Sequence, residues 1–175
     1  MEFSLLYAIP RTAFLDSFFL AVTRIAGSYG QLWVIVAALL LIFKKTRKAG
    51  ASVLIAYLAV LLIGELALKH LVTRLRPCQI DQAFALLLER PTSSSFPSTH
   101  TTWAFAAATA IFLSYKKAGV AAFVAAALIA FSRLYLFLHF PTDVLFGIAL
   151  GIALGVLAHL AAERVFRRFA GNSEN

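Results

Sequence analysis

Five apolar runs, each ended by a short knot of charge or a turn, constrain this chain more than any other feature. They cover about residues 32–43, 51–68, 97–115, 118–138 and 141–162, and only Glu65 interrupts the second. Runs of this kind read as membrane-spanning helices. Several fall short of the ~20 residues that usually cross a bilayer, so their ends must draw on interfacial residues or tilt little. Composition agrees. Hydrophobic residues make up 61% of the chain, charged ones 14%, and the mean hydropathy is +0.85, which places it in a bilayer rather than in water. The expected fold is all-α: a polytopic transmembrane helix bundle forming one domain over residues 1–170, with 171–175 a polar tail outside it.

Residues 1–29 mix Phe14, Leu15, Phe18, Phe19, Val22 and Ile25 with Asp16 and Arg24. That pattern predicts an amphipathic helix lying in the interface, hence five spans plus one interfacial helix, with six spans as the alternative. Glu2 stands where a signal peptide would carry its basic region, so a conventional signal peptide is not expected. Gly147, Gly151 and Gly155 recur every fourth residue and let helix backbones approach closely. Packing within one compact bundle explains them better than a dimer face, and a monomer is the expectation. Cys78 is the only cysteine, which excludes an intrachain disulfide and a cysteine-based metal site.

The net charge of +8 does not point to nucleic acid, because the charges sit in short caps between apolar runs and form no soluble basic face. They do suggest an orientation. Lys44, Lys45, Arg47, Lys48, Lys116, Lys117, Arg164, Arg167 and Arg168 fall on one side, with only Glu163 and Glu174 to oppose them. The other side balances its basic residues with acidic ones. The positive-inside rule puts the first group in the cytoplasm, and the residues around His139 outside.

Three polar stretches gather on that outer side. Ser132-Arg133-x5-His139-x3-Asp143 sets an arginine, a histidine and a carboxylate in apolar sequence, where a charge costs a few kcal/mol or more and marks a functional candidate. Pro141 reads as the first residue of a helix, and Asp143, in its first turn, can reach back to His139. Lys69 and Arg76 would share a face if the second run stayed helical to Pro77. Pro97-Ser98-Thr99-His100 reads as a helix start whose free N–H groups suit a phosphate. Three cations with free amides describe an anion site, and two histidines describe its chemistry.

Lys69-x6-Arg76-Pro77, Pro97-Ser98-Thr99-His100 and Ser132-Arg133-x5-His139-x3-Asp143 together resemble the three-part signature of the type 2 phosphatidic acid phosphatase family, over roughly residues 51–165. Thr99 departs from the glycine usual at that place, which narrows the cradle but keeps its N–H. Among relatives the chain is similar to compact bacterial enzymes acting on envelope lipids, such as lipid A 1-phosphatases and undecaprenyl pyrophosphate phosphatases. The resemblance implies that His139 attacks phosphorus, Asp143 holds its ring, and His100 protonates the departing oxygen and then activates water. It implies that Lys69, Arg76 and Arg133, with Ser98 and the Thr99 amide, bind the phosphoryl oxygens. No metal or other cofactor is expected, because the cations supply the charge and no carboxylate cluster is offered to hold one.

The implied partner is a phosphorylated membrane lipid (lipid A 1-phosphate, undecaprenyl diphosphate or phosphatidylglycerol phosphate) in the outer leaflet of a bacterial inner membrane. Two alternatives stand beside hydrolysis: a lipid phosphotransferase using the same site, and a non-catalytic transporter whose polar residues would string across the bilayer. His70 and His159 read as satisfied polar groups, and Glu65 as an ion-pair partner of Lys69. Arg74 reads equally as a ligand of a second phosphate or of the headgroup surface. Residues 83–90 predict a short interfacial helix over the mouth of the site.

Overall fold

A computed structural model describes residues 2–171, with side chains described through Arg168. Apart from Gly171, the polar tail lies outside the described residues. The described residues form helices joined by turns and irregular segments: α1 (Glu2–Tyr7), α2 (Ala13–Ala26), α3 (Gln31–Ile42), α4 (Arg47–Leu71), α5 (Pro77–Ile80), α6 (Thr99–Ser114), α7 (Lys116–Tyr135) and α8 (Pro141–Gly171). By length and hydropathy α4, α7 and Pro141–Arg168 of α8 can each cross a bilayer, and α2 with α3, bent by 53° at their junction, can make one more broken span. Large apolar side chains such as Leu62, Leu66, Leu145 and Leu157 point outward, as a protein solvated by lipid tails requires.

The 16-residue α6 is the centre of the bundle. Its alanines, Ala104, Ala106, Ala107, Ala108 and Ala110, are all buried, and it packs chiefly against α8, α7 and α4. The three glycines of α8 explain how close α6 comes. A Cβ at Gly147, Gly151 or Gly155 would lie 2.9, 2.6 or 2.5 Å from the carbonyl oxygens of Ser98, Thr102 and Ala106 respectively. The stripe is thus used inside the bundle, as the spacing suggested. Trp33, Val53, Val60, Trp103 and Leu154 fill the space between α3, α4, α6 and α8.

Residues 1–29 differ from the single interfacial helix expected. They form α1 and α2, and α2 turns into α3 through Gly27 and Gly30, both at positive φ (74° and 68°). A side chain at Gly30 would also meet the Trp103 ring at 2.9 Å, so this bend needs glycine. Thr12 caps α2 by accepting the Leu15 N–H at 3.2 Å. Amphipathicity alone could not show that α2 packs along α7 and continues, after a bend, into α3.

α4 runs from one end of the bundle to the other and widens into a π-helix over Leu61–Leu68. It stops at Leu71, and the chain from Val72 is extended, so Lys69 and Arg76 do not share a helical face as the sequence had suggested. Nor is Pro97 the first residue of α6: the Phe96–Pro97 bond is cis and the helix begins at Thr99. Pro141 does open α8. Residues 83–90 form turns rather than a helix, held by Arg90, whose guanidinium donates to the carbonyls of Cys78, Asp81, Gln82 and Phe84. Four carbonyls turned towards one guanidinium converge on a point instead of lying parallel along an axis, as a helical ladder needs.

Candidate active site

The end of the bundle where α2, α4 and α7 stop and α6 begins holds a cavity of about 870 Å³. Its walls include Lys69, Arg76, His100, Arg133 and His139, five of the sequence candidates drawn from three separate stretches. Each arrives by a different route. Lys69 directly follows the π segment, and its ammonium pairs with Glu65 at 2.8 Å, as the ion-pair reading anticipated. Arg76 is carried by the extended segment that follows α4, His100 by the first turn of α6, and Arg133 by the last turn of α7.

His139 lies in the connection between α7 and α8. That connection turns through Phe137, whose φ of 59° is left-handed, a conformation costing about 1–2 kcal/mol for a residue with a Cβ. Packing holds it there: the Phe137 ring stacks on Phe84 at 3.9 Å and meets Phe3 and Tyr7 of α1. His139 is 2% exposed, and its Nδ1 lies 2.7 Å from the carbonyl oxygen of Ser95. Nδ1 therefore donates, and Nε2 carries the free lone pair, 3.0 Å from Nη1 of Arg76. Burial pushes the imidazole down to about 3, against the opposing pull of Asp143, and the Arg76 and Arg133 charges add to that lowering, so the ring is neutral near pH 7.

Asp143 does not hold the His139 ring in the manner expected. Its Oδ2 stands 3.8 Å from Nδ1, beyond hydrogen-bond reach, because the Ser95 carbonyl occupies that donor. The fully buried carboxylate instead accepts the Phe140 N–H at 2.9 Å, the Ser95 hydroxyl at 2.5 Å and Arg74 Nη1 at 2.7 Å. It faces His139 as a nearby charge rather than as a hydrogen-bonded partner. Arg74 does not fit the second-phosphate reading: the guanidinium is bound to Asp143, Thr142 and Glu2 and is absent from the cavity wall.

His100 Nε2 is 2.9 Å from the Gly27 carbonyl, so the α2–α3 bend fixes that ring and leaves Nδ1 as its other proton site. Arg133 is 2% exposed and donates to Ser132 Oγ at 3.0 and 3.1 Å and to Thr23 of α2. Arg76 spends its donors on Ser93, Ser94, Leu138 and His139, stitching the 93–95 segment to the His139 turn. Ser98 and Thr99 do not face the cavity. The Ser98 hydroxyl meets Thr101 Oγ1 at 2.9 Å, its N–H goes to the Asp143 carbonyl at 3.3 Å, and the Thr99 methyl lies towards Gly64. Among the described residues no group of three or more His, Cys, Asp or Glu side chains is placed to hold a metal ion.

Ser95, Gly27 and Thr23 contribute to the site without being marked in the sequence. The run Thr92-Ser93-Ser94-Ser95 was the one available signal, since clustered hydroxyls before a proline tie loops to their surroundings. His159 lies at the far end of the bundle, 3.4 Å from Ser114 Oγ, as a satisfied polar group; His70 is exposed and is not one.

Fold and site together define a multi-pass helical membrane protein with a cationic, two-histidine cavity at one end. The chain belongs to the PAP2 superfamily, whose family model matches residues 49–167. It is similar to an undecaprenyl-diphosphatase of Sulfolobus acidocaldarius, 34% identical over 135 residues that cover 75% of this chain and 65% of that protein. It is also similar to the decaprenylphosphoryl-5-phosphoribose phosphatase of Mycobacterium tuberculosis, 35% identical over 71% of this chain and 68% of that one. This chain thus spans about two thirds of the length of each. Among solved structures it resembles the transmembrane PAP2-type phosphatidylglycerolphosphate phosphatase of Bacillus subtilis, with a TM-score of 0.70 and 30% identity over 89% of this chain and 80% of that one. Aquifex aeolicus LpxE gives a TM-score of 0.70 at 28% identity over 90% and 93% of the two chains.

Proposed function

We propose that this chain hydrolyses a phosphomonoester or diphosphate on a membrane lipid, at the outer leaflet, through a phosphohistidine formed on His139. The observation that carries this reading is the single cavity that His100 and His139 share with Lys69, Arg76 and Arg133. Nε2 of His139 attacks phosphorus, and the bond from phosphorus to the lipid oxygen breaks. His100, protonated at Nδ1, gives that proton to the departing oxygen. In the second step His100 takes a proton from water, the water oxygen bonds to phosphorus, the phosphorus–nitrogen bond breaks and phosphate leaves. An equatorial oxygen displaces the Arg76–Nε2 contact and takes that N–H for itself. Lys69 and Arg133 complete a set of cations that matches charge spreading over the three oxygens, the role a metal ion plays in other phosphoryl-transfer sites.

A lipid substrate is supported by the apolar helices around the site and by Leu88 and Leu138 in the cavity wall. Two relatives, each overlapping more than two thirds of this chain, are named for polyprenyl-linked phosphates, which supports an undecaprenyl-type diphosphate as the first lipid to test beside lipid A 1-phosphate and phosphatidylglycerol phosphate. The outward orientation in an inner membrane is supported by Lys44, Lys45, Lys48, Lys116 and Lys117 at the end opposite the cavity. Against a transporter stands the grouping of the cavity-lining charges at one end, behind a layer of buried Val53, Val60, Ala104 and Ala108. The test is phosphate release by the purified protein from these three lipids and phosphatidic acid, side by side. Release from at least one, lost in His139→Ala, is the expected result; release from none would overturn the reading.

A further inference from the structure

Arg74 lies outside the cavity, yet it is bonded to the carboxylate behind the nucleophile. Its Nη1 donates to Asp143 Oδ1 at 2.7 Å and to Thr142 Oγ1 at 2.7 Å. Its Nη2 is 2.6 Å from Glu2 Oε2, and the guanidinium carbon lies 4.3 Å from the centre of the Phe140 ring. Glu2 uses its other oxygen on Thr142, accepting the N–H at 3.2 Å and the hydroxyl at 2.7 Å. Charges therefore alternate along a line: Glu2 negative, Arg74 positive, Asp143 negative, and then the ring that becomes positive when phosphorylated. None of Glu2, Arg74 and Asp143 lines the cavity.

We infer that Arg74, held by Glu2, is a positioning residue for the nucleophile: it fixes and keeps charged the Asp143 carboxylate that faces His139, without touching substrate. A buried carboxylate needs a paired cation to remain ionised, and the structure gives Asp143 one with a rigid fork. Ser95 supports the same arrangement from the other side, since its hydroxyl binds Asp143 while its carbonyl binds His139. Arg74 thus reaches the ring in two ways, through the field of Asp143 and through the frame that Asp143 shares with Ser95. Glu2 balances the added charge and ties α1 to the first turn of α8.

This inference rests on the phosphatase reading, and one kinetic series separates the two. Wild-type turnover of a lipid phosphate tests the reading by itself; its absence sinks the reading and the inference with it. With turnover in hand, Arg74→Ala is expected to lower kcat about 10- to 100-fold while KM stays within about 2-fold, the signature of an interaction that matters only in the transition state. Inhibition by vanadate, which mimics the five-coordinate state, should weaken in step with kcat, because the field that Asp143 sets on the ring is felt there too. Arg74→Lys should recover part of kcat, since an ammonium keeps the charge but cannot bridge Asp143 and Glu2 as a fork does. Glu2→Gln should lower kcat a few-fold alone and nothing further in the Arg74→Ala background, because its effect passes through Arg74. If Arg74→Ala does not fold, Arg74→Lys and Glu2→Gln carry the test. A raised KM with kcat intact, unchanged kinetics, or additive losses in the double variant would overturn the inference.

Discussion

His139 and His159 share one local motif and have opposite fates. Each carries a carboxylate four residues on, Asp143 and Glu163, and in each pair the nearest nitrogen-to-oxygen distance is 3.8 Å. Around His139 the chain adds a carbonyl that fixes Nδ1, an arginine at Nε2 and an open cavity. Around His159 it adds the Ser114 hydroxyl and the Lys48–Glu163 ion pair at 2.7 Å, and the ring is absent from the cavity wall. A histidine and a carboxylate at helical spacing are therefore no site by themselves. The cations and the empty volume brought by other segments make the difference.

The strongest way to break this comparison is to remove each ring. His139→Ala is expected to cost about 10⁴-fold or more in lipid phosphate turnover, as loss of a nucleophile does, with phosphate release as the measurement. His159→Ala should stay within about 2-fold of wild type, since nothing that touches substrate is lost. Equal losses would erase the distinction between the two ends.

Neutralising the carboxylates sharpens it. Asp143→Asn should lower kcat about 10²-fold, because the charge facing the phosphorylated ring is gone while the shape is kept. Glu163→Gln should leave kcat unchanged and move the melting temperature only slightly, because its ion pairs with Lys48 and Arg167 are open to solvent.

A smaller effect is expected from the cations. Vanadate, which mimics the five-coordinate state, should inhibit the wild type, and Arg133→Ala should weaken that inhibition about 10-fold or more. Lys48→Ala, at the His159 end, should leave it alone. The least effect of all is expected from EDTA, with turnover unchanged, because protein cations supply the charge; loss of activity restored by Mg²⁺ would contradict that.

Much of this molecule was legible before its folding was known. Lys69, Arg76, His100, Arg133 and His139 could be picked out because charge is costly in apolar sequence and each sits in a spaced motif, and they line one cavity. The glycines of α8 could be read because a four-residue period marks one helix face. The route of the chain between these points was not legible. The extended path from Val72 to Arg76, the start of α6 at Thr99 and the turns at 83–90 are held by hydrogen bonds from Arg74 N–H to Ser94, from Ser98 N–H to Asp143 and from Arg90 to Cys78, partners that local propensity does not name.

By itself, then, the sequence determined the solvent, the helical class and the identity of the chemical groups, because hydropathy and residue type act locally. Tertiary structure alone decided what holds those groups. Ser95 grips His139 across 44 residues, Gly27 grips His100 across 73, and Thr23 grips Arg133 across 110. A backbone carbonyl or a lone hydroxyl carries no mark in sequence of the partner it will meet; only folding brings the two within about 3 Å, where a hydrogen bond can form.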